Sequence, residues 1–217
     1  MLLTILFSST VRATFGFADA LIAMPILVVL LGAQTATPLV ALIALCIAAN
    51  LLYKNYRKID FKEIRLLIFF SLLGIIPGLI FLKSADETLI KGVLATLLIG
   101  FSLYKLFRPN LFHLKTNRSA AIFGLVAGML GGAYNTNGPP IIIYGTLRRW
   151  SSKHFRDTLQ GVLLPINIAI VTGHAGAGLW TAEVWILFLW SLPLVVLAIW
   201  GGNKLNKLIP ADKFTKY

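Results

Sequence analysis

Seven residues of the second half, Tyr134-Asn135-Thr136-Asn137-Gly138-Pro139-Pro140, join uncharged hydrogen-bonding side chains to helix breakers, inside an apolar run long enough to cross a bilayer. A helix broken at membrane depth offers unpaired backbone N–H groups and the positive end of the returning half-helix, both of which attract an anion. Asn135, Thr136 and Asn137 add side-chain donors without adding charge. Gly138 lets a ligand approach the backbone closely, and Pro139 and Pro140 suit the first turn of the returning helix. That set fits a tetrahedral or pyramidal oxyanion. In the alternative reading, Asn and Thr only satisfy backbone groups that the break frees.

A matching break is expected in the first half, at Phe15–Leu21 (FGFADAL), with Gly16 and Phe17 at its tip. Ionisable residues inside a membrane are costly and usually face a partner or a polar pathway. On opposite arms of a hairpin turning near Gly16, Arg12 and Asp19 can pair. One reading is a structural salt bridge, or Arg12 snorkelling to the surface. The other is that Arg12 helps bind the anion while Asp19 takes a proton and couples transport to the proton gradient. Asn50, Gln160 and Asn167 complete the polar candidates. Gln160 lies one turn after Arg156 on the same face, so Arg156 either holds substrate at the inner mouth or serves as topological charge.

The elements that must position these residues follow from composition. Hydrophobic residues make up 58% of 217, mean hydropathy is +0.82, and apolar segments of spanning length recur throughout. That composition describes an all-α polytopic membrane protein. Seventeen of the twenty Lys and Arg fall within 54–65, 105–118, 148–156 and 204–216, all between or after apolar spans. By the positive-inside rule these are cytoplasmic, while connectors 31–37, 83–87 and 173–183, which hold a single Lys between them, are outside. Both flanks of 119–147 are then inside, although a simple crossing would separate them. A re-entrant hairpin with arms Ser119–Ala133 and Gly138–Leu147, each short of the ~20 residues a crossing needs, removes the conflict. Non-helical backbone at that depth is tolerated where it is buried in protein or lines a wet cavity. A plain seven-helix bundle with a kinked fifth helix is the competing reading.

Setting FGFADAL beside YNTNGPP pairs Gly16 with Asn135 and Asp19 with Gly138. Spans near 38–53, 64–82 and 88–106 follow the first break, and spans near 157–173 and 183–203 follow the second. The expectation is two inverted repeats, each a re-entrant helical hairpin plus three transmembrane helices, an architecture of secondary transporters. Residues 1–107 form the first repeat, 108–118 a cytoplasmic linker and 119–217 the second. In this register Ala211-Asp212-Lys213 corresponds to Ala85-Asp86-Glu87, so the last helix of the second repeat is expected to be missing, by truncation or omission of a tail.

Other classes fit poorly. His113, His154 and His174 are spread over loops on different sides, with no HExxH, no carboxylate cluster and no Walker-type loop, so no catalytic residue, metal or cofactor is expected. Asp19 is the one acidic residue at membrane depth. The single Cys46 excludes an intramolecular disulfide, and the start reads as mature protein, without a basic region or cleavage site. The +12 charge is confined to loops, not interleaved with aromatics on a soluble element, so nucleic acid is not an expected partner.

Four stretches, FGFADALIAMP, GGAYNTNGPPIIIYG, LRRWSSKHFRDTLQ and GGNKLNKLI, together resemble the TauE/SafE (sulfite exporter, TSUP) family over nearly the whole chain, with Ala18 where that family commonly has glycine. The resemblance implies a permease for small sulfur-containing anions such as sulfite and organosulfonates. A secondary transporter in the inner, cytoplasmic membrane of a prokaryote is therefore expected, with a small anion and the lipid bilayer as partners and a homodimer left open. An anion channel or a non-transporting membrane subunit is the alternative. Expected substrate contacts are Arg12, Gly16, Phe17, Asn135, Thr136, Asn137, Gly138, Pro139 and Gln160, with Asp19 as the proton site.

Overall fold

The computed structural model describes residues 1–55, 61–107, 113–114, 116–150 and 152–208. Among them the chain is all-helical: α1 (Leu2–Phe15), α2 (Asp19–Leu31), α3 (Ala33–Asn55), α4 (Phe61–Ser84), α5 (Glu87–Phe107), a 3-10 turn at Asn117–Ser119, α6 (Ala120–Tyr134), α7 (Gly138–Leu147), α8 (Ser152–Gly176) and α9 (Ala182–Leu208). At 1.5 Å per residue, a ~30 Å hydrocarbon core takes about 20 residues. Helices α3, α4, α5 and α9 meet that requirement in both length and apolarity. Helix α8 has the length, at 25 residues, with its apolar stretch at Gly161–Gly176. At 14, 13, 15 and 10 residues, α1, α2, α6 and α7 are too short to cross alone. The protein is an integral membrane protein built from crossing helices and broken ones. Its outer faces carry exposed Phe69, Ile76 and Ile80 on α4 and Trp190, Val196 and Leu197 on α9, as lipid contact requires.

The two halves of the broken segment leave on one face. The Leu114 N–H donates to the Leu147 carbonyl at 3.0 Å, and Arg148 Nη1 donates to the Leu114 carbonyl at 2.9 Å. The chain entering α6 is thereby tied to the chain leaving α7. Single cysteines replacing exposed Thr116 and Arg149, in a Cys46→Ala background, should therefore both react with an impermeant maleimide from the same side of sealed vesicles. Labelling from opposite sides would sink the hairpin.

Two connectors differ from expectation. Gly32 alone, at φ 76°, joins α2 to α3, and α8 continues to Gly176, so His174 belongs to a buried helical turn and not to an outer loop. In lipid the backbone leaves helical bonding only where something replaces it, so helices run almost to the turning residue.

Helix packing depends on small residues. Gly124, Gly128 and Gly132, one turn apart on α6, lie so close to α4 that an added Cβ would overlap the carbonyls of Leu67, Ser71 and Ile75. In return, a Cβ at Gly74 or Gly78 of α4 would overlap the carbonyls of Leu125 or Met129. Between membrane helices, where hydrophobic burial gives little drive, backbone approach of this kind supplies the dispersion contact. The spacing of Gly124, Gly128 and Gly132 in an apolar run is the sequence signal of such a stripe. Helix α1 packs on α9 in the same way, with Gly202 against Ala13 and the Thr10 carbonyl. Helix α3 contacts α8 and α9, and α8 also contacts α4.

Candidate functional site

Both breaks have the same backbone form. Helix α1 ends at Gly16 (φ 88°, ψ −2°) and α6 at Asn135 (φ 53°, ψ 23°), both left-handed. Glycine and asparagine tolerate that conformation best among the natural residues. Each donates its N–H four residues back, Gly16 to the Arg12 carbonyl at 2.6 Å and Asn135 to the Gly131 carbonyl at 2.8 Å. Three residues later the chain is helical again, at Asp19 and at Gly138. The tips differ at the next corner, where Ala18 is left-handed at φ 77° while Asn137 has φ −78°. An alanine held there stores about 1–2 kcal/mol of strain, which glycine would not.

The tips, more than a hundred residues apart in the chain, meet at one cavity. It is lined by Arg12, Phe17, Ala18, Asp19, Ala20 and Leu21 from the first and by Asn135, Thr136, Asn137, Gly138 and Pro139 from the second, with Leu163 of α8. It encloses about 10 Å³ of free space, room for about one water, within about 270 Å³ of unfilled space that includes the solvent at its mouth. No side chain caps the N-terminus of α2 or α7. Pro139 and Pro140 carry no N–H, so Gly138 is the donor that α7 offers in its first three positions, while Asp19, Ala20 and Leu21 give α2 three. A Cβ at Gly138 would meet only Ile142 Cδ1, at 4.0 Å, so the backbone is open to a ligand there.

Arg12 and Asp19 pair across the first tip, Nη1 to Oδ1, at 2.7 Å, with side chains 3% and 6% exposed. Arg12 does not snorkel. The pair is incompletely bonded: Arg12 Nε and Nη2 and Asp19 Oδ2 are buried without a partner. A buried charge pair holds together when its remaining hydrogen-bonding positions are also filled, so these atoms are the ones a ligand can complete.

The second tip resolves which polar groups serve the backbone. Ending α6 frees its last four carbonyls, Gly131 to Tyr134, and each is taken, as is that of Leu130 just before them. Leu130 accepts from the Thr136 N–H at 3.1 Å and Gly131 from the Asn135 N–H at 2.8 Å. Gly132 is bonded to His174 Nε2 at 3.1 Å, Ala133 accepts from Thr37 Oγ1 at 3.3 Å, and Tyr134 accepts from Thr136 Oγ1 at 3.0 Å. Facing a carbonyl, His174 Nε2 must carry the proton, which makes this residue a structural cap. Tyr134 then pins the tip to α5 through its hydroxyl, donated to the Ile90 carbonyl at 2.9 Å. Asn137 Nδ2 donates to Asn167 Oδ1 at 3.0 Å, which ties the tip to α8. Asn135 is left over: it is 2% exposed, lines the cavity, and neither its Nδ2 nor its Oδ1 has a partner.

Of the residues expected to form the site, Arg12, Phe17, Asp19, Asn135, Thr136, Asn137, Gly138 and Pro139 do line the cavity, while Gly16 shapes the turn behind it. Gln160 and Arg156 belong to α8, but their side chains lie outside the described ones. Asn50 is bonded to Asn203 of α9 at 3.3 Å, and Asn167 supports Asn137. Ala18, Ala20, Leu21 and Leu163 were missed as lining residues. For Leu163 the signal was its position one turn after Gln160.

Neither curated proteins nor solved structures gave a match. The family model described as Sulfite exporter TauE/SafE matches residues 1–217, and so this chain of crossing and broken helices belongs to the TauE/SafE sulfite exporter family.

Proposed function

We propose that the protein is a secondary permease that moves a small sulfur-containing anion, sulfite or an organosulfonate, through the cavity between the two broken helices. The observation that carries this reading is the convergence of both tips on one cavity whose walls keep unpartnered donors on Arg12 and Asn135. Uncapped helix N-termini and a guanidinium supply positive potential, and the neutral amide supplies geometry. Asp19 Oδ2 is the proton-accepting atom that couples transport to the proton gradient. With an inside-negative potential an anion leaves downhill, so export needs no coupling ion, whereas uptake does.

Residues 1–107 and 119–217 act in this reading as inverted repeats joined by 108–118. The packing supports it: exchanging α1 with α6, α2 with α7, α3 with α8 and α4 with α9 turns the α1–α9 contact into α6–α4 and the α3–α9 contact into α8–α4. Alternating access is then a rocking of one half against the other around the fixed site. The basic flanks of the α6–α7 hairpin put its open end on the cytoplasmic side of an inner membrane. Uptake of labelled sulfite into liposomes, saturable and without single-channel currents, is the expected result. Currents would mean an anion channel, and absence of flux a non-transporting subunit.

The two tip amides should separate cleanly. Asn135→Ala deletes the unbonded amide and should weaken anion binding by roughly 1–3 kcal/mol, the cost of an unpaired buried partner, with little effect on the melting temperature of the ligand-free protein. Asn137→Ala removes the tie to Asn167 and should lower that melting temperature instead. Calorimetric affinity and apo melting on both variants check this. Unchanged affinity in Asn135→Ala would remove the tip from binding.

A further inference from the structure

From the polar atoms that the cavity leaves unpaired, we infer that its ligand is an oxyanion that carries its own hydrogen-bond donor, an O–H or N–H directed at Asp19 Oδ2. This rests on the reading of the cavity as an anion site and sharpens it to a chemical class. The unpartnered donors are Arg12 Nε and Nη2 and Asn135 Nδ2. The unpartnered acceptors are Asp19 Oδ2 and Asn135 Oδ1. All three residues are at least 96% buried and line the same cavity.

An anion with no hydrogen serves only half of that inventory. Its oxygens can take the guanidinium and amide N–H groups, but they then confront a carboxylate oxygen, and two negative oxygens at hydrogen-bond distance in a buried site repel strongly. A hydrogen between them turns the repulsion into a charge-assisted O–H···O⁻ or N–H···O⁻ bond. Asp19 cannot turn away, because its Oδ1 is engaged by Arg12 Nη1 at 2.7 Å. Neutral amides adapt by rotating, whereas an ionised carboxylate only accepts. The site therefore sorts monoanions bearing a hydrogen, such as hydrogensulfite or sulfamate, from the sulfite and sulfate dianions and from alkylsulfonates without a donor.

Sulfamate and methanesulfonate test this, since they share charge and shape and differ in an amino group against a methyl group. Calorimetric titration of the purified full chain in nanodiscs should find sulfamate at least about tenfold tighter, as expected when one anion leaves a buried acceptor unpaired. Equal affinity would overturn the inference while leaving the anion site standing, and absence of binding by both would overturn the two together. In Asp19→Asn the amide oxygen stays on Arg12 and an N–H replaces Oδ2, so the ratio should fall to about twofold or less. A ratio that stays near the wild-type value there would overturn Asp19 as the acceptor. If that variant does not fold, Asn135→Ala serves as the second: both anions should weaken by similar factors with the ratio kept, and collapse of the ratio would shift the acceptor to Asn135 and overturn the assignment.

Discussion

Arg12→Met should lose about 3–5 kcal/mol of stability, because it strands the buried Asp19 carboxylate without its 2.7 Å partner. The penalty comes from the unpaired charge and not from the lost contact. Arg12→Met combined with Asp19→Leu should therefore recover most of the stability, since replacing a whole buried pair by apolar groups is often neutral. Transport should not recover, because the double variant lacks both the anion's guanidinium and the carboxylate. Melting temperature and sulfite flux on the two variants give four values that separate a structural bridge from a working one. A double variant that folds and transports like wild type would reduce Arg12 and Asp19 to scaffolding, and an Arg12→Met protein as stable as wild type would show that Asp19 is not a buried anion at all.

The second large effect is expected far from the cavity. In Gly128→Val the new Cβ would collide with the Ser71 carbonyl, a backbone atom that cannot step aside as a flexible side chain could. Helix α6 would have to move off α4 and carry Asn135 with it. The expected loss is about 3 kcal/mol, the upper end for overpacking a tight contact, together with weaker anion binding. Gly92→Val and Gly100→Val on α5 are the controls, since a Cβ at either meets nothing within 4 Å. They should leave stability within about 1 kcal/mol of wild type, the scale of helix propensity. Equal melting temperatures for Gly128→Val and its controls would remove the glycine stripe from the account of stability.

Much of the architecture is local chemistry and so can be read along the chain. The apolar length of each span, the loops holding the basic residues and the two breaks all follow from residue types within a few positions. So does the register of Gly16 with Asn135 and Asp19 with Gly138, because the left-handed corner and the helix restart are set by the residues that occupy them. The closeness of Arg12 to Asp19 was legible too, seven residues apart across a three-residue turn.

What the chain alone left open is which polar group answers which. Asn135, Thr136 and Asn137 look interchangeable as donors in sequence, and they separate only because partners arrive from elsewhere: Thr37, 96 residues from the carbonyl it caps, His174 at 42, and Asn167 at 30 from Asn137. Those partners bring bonds to the Gly132 and Ala133 carbonyls and to Asn137, while Thr136 caps its own turn and Asn135 stays unbonded in the cavity. His174 reads as a loop residue until α8 is seen to run on beneath α6. The composition and spacing of the chain determined a membrane protein with two broken helices and a charged residue pair at one of them. The tertiary structure decided that the breaks share a cavity and which amide in it is free, because a backbone break declares itself locally, whereas the partners of the groups it frees depend on how closely helices distant in sequence can approach.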